Sequence, residues 1–255
     1  MGWSQVSYHY DGSFAGFLCC VFEAYLHKEA PACFLGPEDG RLSLWPERQI
    51  STDEAHAKRV YRSLDRSLGA QGRRLVVYGF LTCLPEREMA LWAFLRLGYE
   101  RGPGVVRDLT DDRVSTLNKA VQHLTGEAHL LKGFVRFSEQ EGLLIGEIEP
   151  KNRVLPLLRP HFCTRYSGES FVLYDRTHGE ALFYRPHRWA IVPLAEFRLN
   201  GPAQEEQEYR RLWRRFYDTI SIAERYNPKC RMTHMPKRYW GTMTEFQREQ
   251  EGLPP

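Results

Sequence analysis

The stretch SFVLYDRTHGEALFYRPHRWAIVP, Ser170 to Pro193, decides the fold class of this chain. It contains three runs rich in β-branched and aromatic residues, SFVLYD, EALFYR and RWAIVP, separated by the turn sequences RTHG and PH. Runs of this length and composition, joined by short polar connections, predict three consecutive antiparallel strands.

Two further strands and a helix are predicted upstream of these three. Residues 129–137 (HLLKGFVRF) and residues 143–149 (LLIGEIE) alternate on the two sides of a Glu-Gly turn, which is a hairpin signal. A short helix is predicted within residues 153–168, RVLPLLRPHFCTRYSG, with its prolines at or before the first turn. The order β-β-α-β-β-β with short connections predicts an antiparallel sheet of about five strands with a helix on one face. The class is therefore α+β, and we do not expect a parallel nucleotide-binding sheet.

A mostly helical region, residues 1–126, is expected before the α+β region, residues 127–255, and the sequence leaves open whether the two form one continuous domain. Val6 to Tyr10 predicts a strand, and Asp11 or Ser13 is the expected cap of the first helix. Short extended pieces are predicted at residues 42–45 and 48–50. Later helices are predicted to end at Gly69 and to break at Pro85. A long helix over residues 202–221 and a C-terminal basic segment complete the prediction.

The composition excludes several classes of protein. A net charge of +3 over 255 residues does not by itself require a polyanionic partner. The six cysteines form no C-x-x-C pair, and the chain has no glycine-rich phosphate loop and no H-E-x-x-H motif, so neither a cofactor nor a metal is predicted. The N-terminus lacks a signal-peptide pattern, and the longest apolar run, FAGFLCCVF, is about half the length of a membrane span, so we expect a cytoplasmic protein.

Three residues are weak candidates for catalysis, and the catalytic assignment stays open. Glu147 and Glu149 are two apart on one predicted strand, so their carboxylates share a face; paired carboxylates perform acid–base chemistry, but they also solvate the outer face of a sheet. His161 is the third candidate. Asp175, His178 and His187 have two interpretations: metal ligands that meet across strands, or a polar turn beside exposed strands.

Three basic features point to nucleic acid. The first is KGFVRF, which places Lys132, Phe134 and Arg136 on one predicted strand face, where cations and aromatic rings form a platform for nucleic-acid backbone and bases. The second is LLRPHFCTRY, where His161 and Arg165 are four residues apart with Arg159 close by, near the start of a helix that would hold a phosphate.

The third basic feature is the C-terminal segment, residues 225–244, which contains no Asp or Glu. Its cations are Arg225, Lys229, Arg231, Lys237 and Arg238. A cluster of this density predicts salt-dependent affinity for phosphates. The adjacent Tyr239 and Trp240 have two interpretations: stacking on an exposed base, or packing of a C-terminal element onto the core.

These motifs, in this order, resemble a known family. KGFVRF, GEIEP, VLPLLRPHFCTRY, RWAIV, LWRRFYDTISIAERYNPK and MPKRYW are similar to the bacterial family called "probable DNA metabolism protein". Its core is a domain of unknown function that also occurs fused to X-type uracil-DNA glycosylases. Stand-alone members with an N-terminal extension like YHYDGSFAGFLCCVFEAY accompany a DNA-repair radical SAM protein. The resemblance covers residues 8 to 247 and implies a role linked to DNA and a radical SAM partner, but it implies no catalytic mechanism.

The leading hypothesis is a nucleic-acid-binding accessory protein in DNA repair or modification that acts with a radical SAM enzyme. One positive surface would hold the DNA; its residues would be Lys132, Arg136, His161, Arg165, Lys229, Arg231, Lys237, Arg238, Tyr239 and Trp240. A first alternative is an enzyme acting directly on damaged DNA, of glycosylase or nuclease type. A second alternative is a structural adaptor for the radical SAM protein that makes no contact with DNA.

Overall fold

The computed structural model describes residues 3–194, 210–212, 228–243 and 246, without the side chains at 228, 230 and 231. Contacts between residues divide the chain into two compact units, Met1–Leu124 and Thr125–Pro255. We call them the N-terminal and the C-terminal unit and describe each by itself.

The N-terminal unit contains a parallel sheet of three strands that the sequence analysis did not anticipate. The strands β1 (Ser4–His9), β2 (Glu29–Leu35) and β3 (Glu47–Gln49) lie in the order β2-β1-β3, and both neighbours run parallel to β1. β2 escaped prediction because Pro31 interrupts its pattern; proline is tolerated there because β2 is an edge strand with a register shift beside Pro31. The extended piece predicted at residues 42–45 is wrong, since those residues form a loop.

The helices of the N-terminal unit follow local sequence signals closely. They are α1 (Phe14–His27), α2 (Glu54–Phe80), α3 (Arg87–Arg101), a 3-10 turn (Pro103–Arg107) and α4 (Asp112–Phe134), which continues into the C-terminal unit. The Ser13 hydroxyl caps α1 by accepting the Gly16 N–H at 2.9 Å, as predicted. The helix predicted to end at Gly69 loses its helical conformation there, with a φ of 71°, but α2 continues beyond this kink to Phe80.

Aromatic packing joins the parallel sheet to α1. Phe17 of α1 lies 5.5 Å from Phe34 of β2, and Phe34 lies 6.1 Å from Tyr8 of β1 (ring centroids). Phe17 and Tyr8 are fully buried. Burial of rings of this size supplies most of the hydrophobic stabilisation of such a core, so the sheet and α1 form one packed layer pair.

The C-terminal unit contains a five-stranded sheet in the order β4-β5-β6-β7-β8. The elements are β4 (Phe137–Gln140), β5 (Leu143–Ile148), α5 (Leu155–Arg165), β6 (Ser170–Asp175), β7 (Glu180–Arg185) and β8 (Arg188–Pro193). The predicted order β-β-α-β-β-β and the three strands from Ser170 to Pro193 are confirmed. The Glu-Gly hairpin is also confirmed, with positive φ at both Glu141 and Gly142.

The prediction of a fully antiparallel sheet is wrong, because β5 and β6 are parallel. The helix α5 connects them, and a chain that passes through a helix between neighbouring strands returns to the same edge and runs in the same direction. The sheet is therefore mixed. The class remains α+β.

The last described elements are short. Residues 210–212 are helical, α6 spans Pro228–His234, and a 3-10 turn spans Lys237–Thr242. The remainder of the helix predicted at residues 202–221 lies outside the described residues, as does Arg225. Among the described helices, none is both long enough and apolar enough to cross a membrane.

Candidate nucleic-acid interface

Helix α4 carries Lys132, and this corrects the predicted strand platform. Leu124, Ala128 and Leu131 are at most 2% exposed and recur at helical spacing, so the helix continues past Gly126, where the sequence analysis ended it. Lys132 is exposed on this helix and Phe134 is its last residue. The prediction that Lys132, Phe134 and Arg136 share a strand face is therefore wrong.

Arg136 lies just beyond α4 and binds the end of the helix. Its guanidinium donates hydrogen bonds to the carbonyls of Gly133 at 2.9 Å and Val135 at 3.2 Å. Carbonyls at a helix C-terminus lack intrahelical donors, and a basic side chain satisfies them and complements the helix dipole. In this structure Arg136 has a capping role.

Helix α5 presents His161 and Arg165 on one flank. Leu155, Leu158 and Phe162 are at most 2% exposed and face the core. His161 and Arg165 are four residues apart and therefore lie one above the other. Arg165 is the last residue of α5, so this pair lies toward the helix C-terminus, and the expected contribution of a helix N-terminus to phosphate binding is absent at this pair. Pro160 also lies inside α5, which corrects the prediction that its prolines precede or open the helix.

The positive charges of Lys132 and Arg165 both lower the pKa of His161. Burial lowers the pKa of the His161 ring, and the neighbouring charges of Lys132 and Arg165 lower it further. Three basic side chains from two helices therefore converge, and we call Lys132, His161 and Arg165 the basic group. Within the described part of the chain, neither Lys132 nor Arg165 makes an ion pair, and the buried Nε2 atom of His161 has no hydrogen-bond partner.

The other flank of α5 carries a cation beside an exposed aromatic ring. The Arg159 guanidinium lies 4.0 Å from the ring centroid of Trp189, and Trp189 is 51% exposed on the edge strand β8. At about 100° per residue, Arg159 lies about 160° around the α5 axis from His161 and about 120° from Arg165. Sequence reasoning missed Trp189, although the pattern RW at the start of the last strand was a usable signal.

The C-terminal basic segment is anchored through a buried carboxylate on α4. Glu127 is 2% exposed and accepts hydrogen bonds from the backbone N–H groups of Lys151 at 3.0 Å and Asn152 at 2.9 Å. The Asn152 amide donates at 2.6 Å, and the Tyr239 hydroxyl donates at 3.3 Å. The Arg238 guanidinium lies 3.1 Å from the same carboxylate.

The pKa of Glu127 is lowered by this environment. Burial acts to raise it, but the hydrogen bonds from Lys151 and Asn152 and the charge of Arg238 together outweigh burial. Burial and the Glu127 charge raise the pKa of Tyr239 to about 12. The carboxylate is ionised and the phenol is neutral at pH 7, which is the combination that the hydrogen bond requires.

This anchor contradicts the predicted stacking role of Tyr239. The side chain is 2% exposed, and its ring lies 5.5 Å from that of Phe134, so the packing interpretation is correct for Tyr239. Arg238 lies over the Tyr239 ring at 4.5 Å, with its charge neutralised by Glu127. The Tyr239 ring is therefore buried, whereas the Arg238 side chain is partly exposed but paired with Glu127.

The remaining residues of the C-terminal basic segment differ in exposure. Lys229 and Lys237 are exposed, and the Lys237 ammonium lies 5.9 Å from the Trp240 ring. Trp240 is half-buried, stacks on Phe246 at 4.5 Å and donates its Nε1–H to the Met235 carbonyl at 3.0 Å. The side chain of Arg231 lies outside the described residues.

The candidate acid–base pair and the candidate metal ligands find no supporting geometry. Glu147 and Glu149 both bind Arg176, at 3.4 Å and 2.9 Å, so the two carboxylates share a cation.

Asp175 and His178 are 2.7 Å apart (Oδ2 to Nδ1), but His187 lies beyond the opposite end of the six-residue strand β7, about 20 Å away. The described residues contain no group of three or more His, Cys, Asp or Glu side chains arranged to hold a metal.

These features define the class as a two-unit α+β protein whose mixed sheet carries a helix with basic side chains on both flanks. A family model described as a domain of unknown function, DUF4130, matches residues 85–245, so the chain belongs to this family. A search of curated proteins finds no match to this chain.

Proposed function

We propose that this chain is a nucleic-acid-binding accessory protein, and that a single strand crosses helix α5. The backbone phosphates contact the basic group of Lys132, His161 and Arg165 on one flank. A base stacks on Trp189, beside Arg159, on the other flank. The family resemblance supplies the setting of this proposal, which is DNA repair or modification together with a radical SAM enzyme.

The observation that carries the proposal is the mutual repulsion within the basic group. Lys132 and Arg165 lower the pKa of His161, so three basic side chains stand close together with no carboxylate among the causes of that shift. An anion placed there would relieve the repulsion and give the Nε2 atom of His161 an acceptor. Interactions with phosphates dominate the affinity of most nucleic-acid-binding proteins.

Trp189 supports a single strand as the ligand. Stacking of an unpaired base on an exposed aromatic ring contributes about 1–3 kcal/mol per base and tolerates any sequence. Trp189 is half exposed on an edge strand, and its Arg159 neighbour provides a second cation. A duplex keeps its bases stacked on each other and would use only the phosphate contacts.

The test is fluorescence anisotropy with a labelled 12-mer, single- and double-stranded, over a series of salt concentrations. The double variant Lys132→Ala with Arg165→Ala removes two phosphate contacts, so the slope of log affinity against log salt falls by about 1.4 for a single strand. The matched control is Lys151→Ala, an exposed lysine whose backbone binds Glu127 and which therefore lies on a different side of α4 from Lys132.

The variant Trp189→Ala separates stacking from phosphate binding. We expect it to weaken binding of the single strand by about 1–3 kcal/mol without changing the salt slope, and Trp189→Phe to recover part of the loss.

Binding of the single strand should also tighten as the pH falls, because a bound phosphate favours the protonated form of His161, whose pKa is lowered in the unbound protein. Absence of binding at 50 mM salt, or equal slopes for the double variant and Lys151→Ala, would refute the proposal.

The adaptor role is a second candidate, favoured by one feature of the N-terminal unit. A groove of about 390 Å³ is lined by Phe22, Tyr25, Leu26 and Tyr99, and Leu26 is 61% exposed. Exposed apolar surface of this kind is typical of protein interaction sites. Co-purification of a radical SAM protein after nuclease treatment, lost in Leu26→Asp and kept in Lys132→Ala with Arg165→Ala, would favour the adaptor role.

A further inference from the structure

The strand order of the parallel sheet in the N-terminal unit reverses at β1, although all three strands run in the same direction. The chain leaves β1 through α1 to reach β2 on one side, whereas β3 pairs with the opposite side of β1. In open parallel sheets, such a reversal leaves a crevice outside the carboxyl ends of the strands, and ligands bind there. This crevice lies outside residues 85–245, which the family model matches.

A crevice is present at this position, and all three strand ends line it. It has a volume of about 510 Å³, within the range of small-molecule sites. The residues that follow the strands and line it include Asp11 after β1, Gly36 and Asp39 after β2, and Ser51 and Thr52 after β3. His9, at the end of β1, lines it too.

Acceptor groups at fixed positions dominate the crevice. Asp11 accepts the Ser13 N–H at 2.9 Å and the Thr52 hydroxyl at 2.7 Å. Burial acts to raise the pKa of Asp11, but these hydrogen bonds lower it overall, so the carboxylate is ionised at neutral pH. A carboxylate has about four lone-pair sites, so Asp11 keeps acceptor capacity toward the crevice.

A second carboxylate, Asp39, and the histidine His9 limit which ligands the crevice can bind. Asp39 is held by the guanidinium of Arg41, whose Nη2 lies 2.6 Å away, and these hydrogen bonds lower its pKa. The Nε2 atom of His9 is shielded from solvent and makes no hydrogen bond within the described part of the chain, although the Glu47 carboxylate lies 3.3 Å away. A site with these carboxylates disfavours a phosphate, and it has acceptors for hydroxyl groups.

We infer that this crevice binds an uncharged ligand with vicinal hydroxyl groups, such as the ribose ring of a ribonucleoside or a free sugar. Asp11 accepts one hydroxyl, and the exposed side chains of Gln49 and Ser51 provide donors and acceptors for the next. Pro37 gives the crevice an apolar wall at its rim.

Isothermal titration calorimetry of the full chain with adenosine, 2′-deoxyadenosine, D-ribose and inorganic phosphate tests this inference. We expect adenosine to bind, and 2′-deoxyadenosine to bind at least about tenfold more weakly because one hydrogen bond to a charged group is lost. If D-ribose binds as tightly as adenosine, the inference holds and the ligand is a sugar. If D-ribose binds much more weakly, the inference holds and the ligand is a nucleoside.

Two glycine variants test whether adenosine binds in the crevice. An added Cβ at Gly36 or at Gly40 has no heavy atom within 4 Å, so a side chain can begin at either position without a clash, but only Gly36 lines the crevice. Gly36→Leu should weaken adenosine binding at least about tenfold, while Gly40→Leu leaves it unchanged. If Gly36→Leu fails to fold, as judged by circular dichroism, Gln49→Ala with Ser51→Ala replaces it.

Three results would overturn the inference. They are equal affinity for adenosine and 2′-deoxyadenosine, equal binding by Gly36→Leu and Gly40→Leu, and phosphate binding that Gly36→Leu abolishes.

Discussion

Replacing Glu127 by alanine tests whether the buried carboxylate holds the C-terminal basic segment against α4. The substitution leaves the N–H groups of Lys151 and Asn152 and the hydroxyl of Tyr239 without their acceptor in a buried site. It also removes the partner of Arg238. Breaking a buried ion pair costs about 3–5 kcal/mol, and each unsatisfied buried donor costs about 1–3 kcal/mol.

These costs do not add, because all the groups share one carboxylate. The side chain of Arg238 is 33% exposed and turns to solvent when its partner is lost, so its share is small. We expect a loss of about 4 kcal/mol in the free energy of unfolding. Arg238→Ala should cost only about 1 kcal/mol, because the backbone donors still hold the carboxylate.

Urea unfolding followed by circular dichroism measures the loss, and hydrogen exchange reports on the network itself. The amides of Lys151 and Asn152 should be protected in the wild type and exchange much faster in Glu127→Ala. Glu139→Ala is the matched control, since Glu139 is exposed and makes no side-chain hydrogen bond or ion pair within the described residues. A loss below about 1 kcal/mol, or unchanged exchange at both amides, would show that the carboxylate is not the anchor.

Three shorter predictions concern stability and reactivity. Because the pKa of Glu127 is lowered in the folded protein, the stabilisation that its carboxylate provides is complete above the unfolded-state pKa of 4.5 and disappears as the pH falls through the folded-state pKa. The free energy of unfolding, measured as the pH is lowered, should therefore decrease less in Glu127→Gln than in the wild type. Gly16→Ala should destabilise the protein by about 1–3 kcal/mol, because the added Cβ would overlap the Asp11 carboxylate. Gly126→Ala should stabilise the protein by up to about 1 kcal/mol, because Gly126 lies inside α4 and the added Cβ meets no heavy atom within 4 Å. Thermal unfolding measures both effects. Iodoacetamide should modify the exposed Cys83 long before the buried Cys20, whose thiol pKa is raised by burial, as read by peptide mass spectrometry.

Sequence patterns predicted the elements whose signals are local. The strands from Ser170 to Pro193 are six-residue runs rich in β-branched and aromatic side chains that end at turns, and the Ser13 cap acts within three residues of itself. The direction of β6 relative to β5 was not predictable from alternation alone, because both arrangements of a pair show the same pattern of side chains. The parallel β2 was missed because Pro31 and a register shift break its pattern.

The site residues were harder to predict, because their roles depend on partners far away in sequence. Arg238 and Lys132 are both cations in the sequence, yet only Arg238 meets a buried acid, 111 residues away. Glu127 was placed at the start of the α+β region, because the helical region was predicted to end at residue 126. Glycine lowers helix propensity by about 1 kcal/mol, and burial of Ala128 and Leu131 outweighs that cost.

The continuation of α4 through Gly126 also places Lys132 and Glu127, the partner of Arg238, on one helix. Glu127 and Lys132 are five residues apart on one helix, which places them about 140° apart around its axis. The C-terminal segment binds the Glu127 side through Arg238 and Tyr239, whereas His161 interacts with Lys132 on the other. Arg238 is neutralised by the buried carboxylate of Glu127 and stabilises the fold. Among the described residues the basic group has no counter-charge, which is energetically unfavourable unless a ligand supplies one, and for this reason we assign phosphate binding to Lys132, His161 and Arg165 rather than to Arg238.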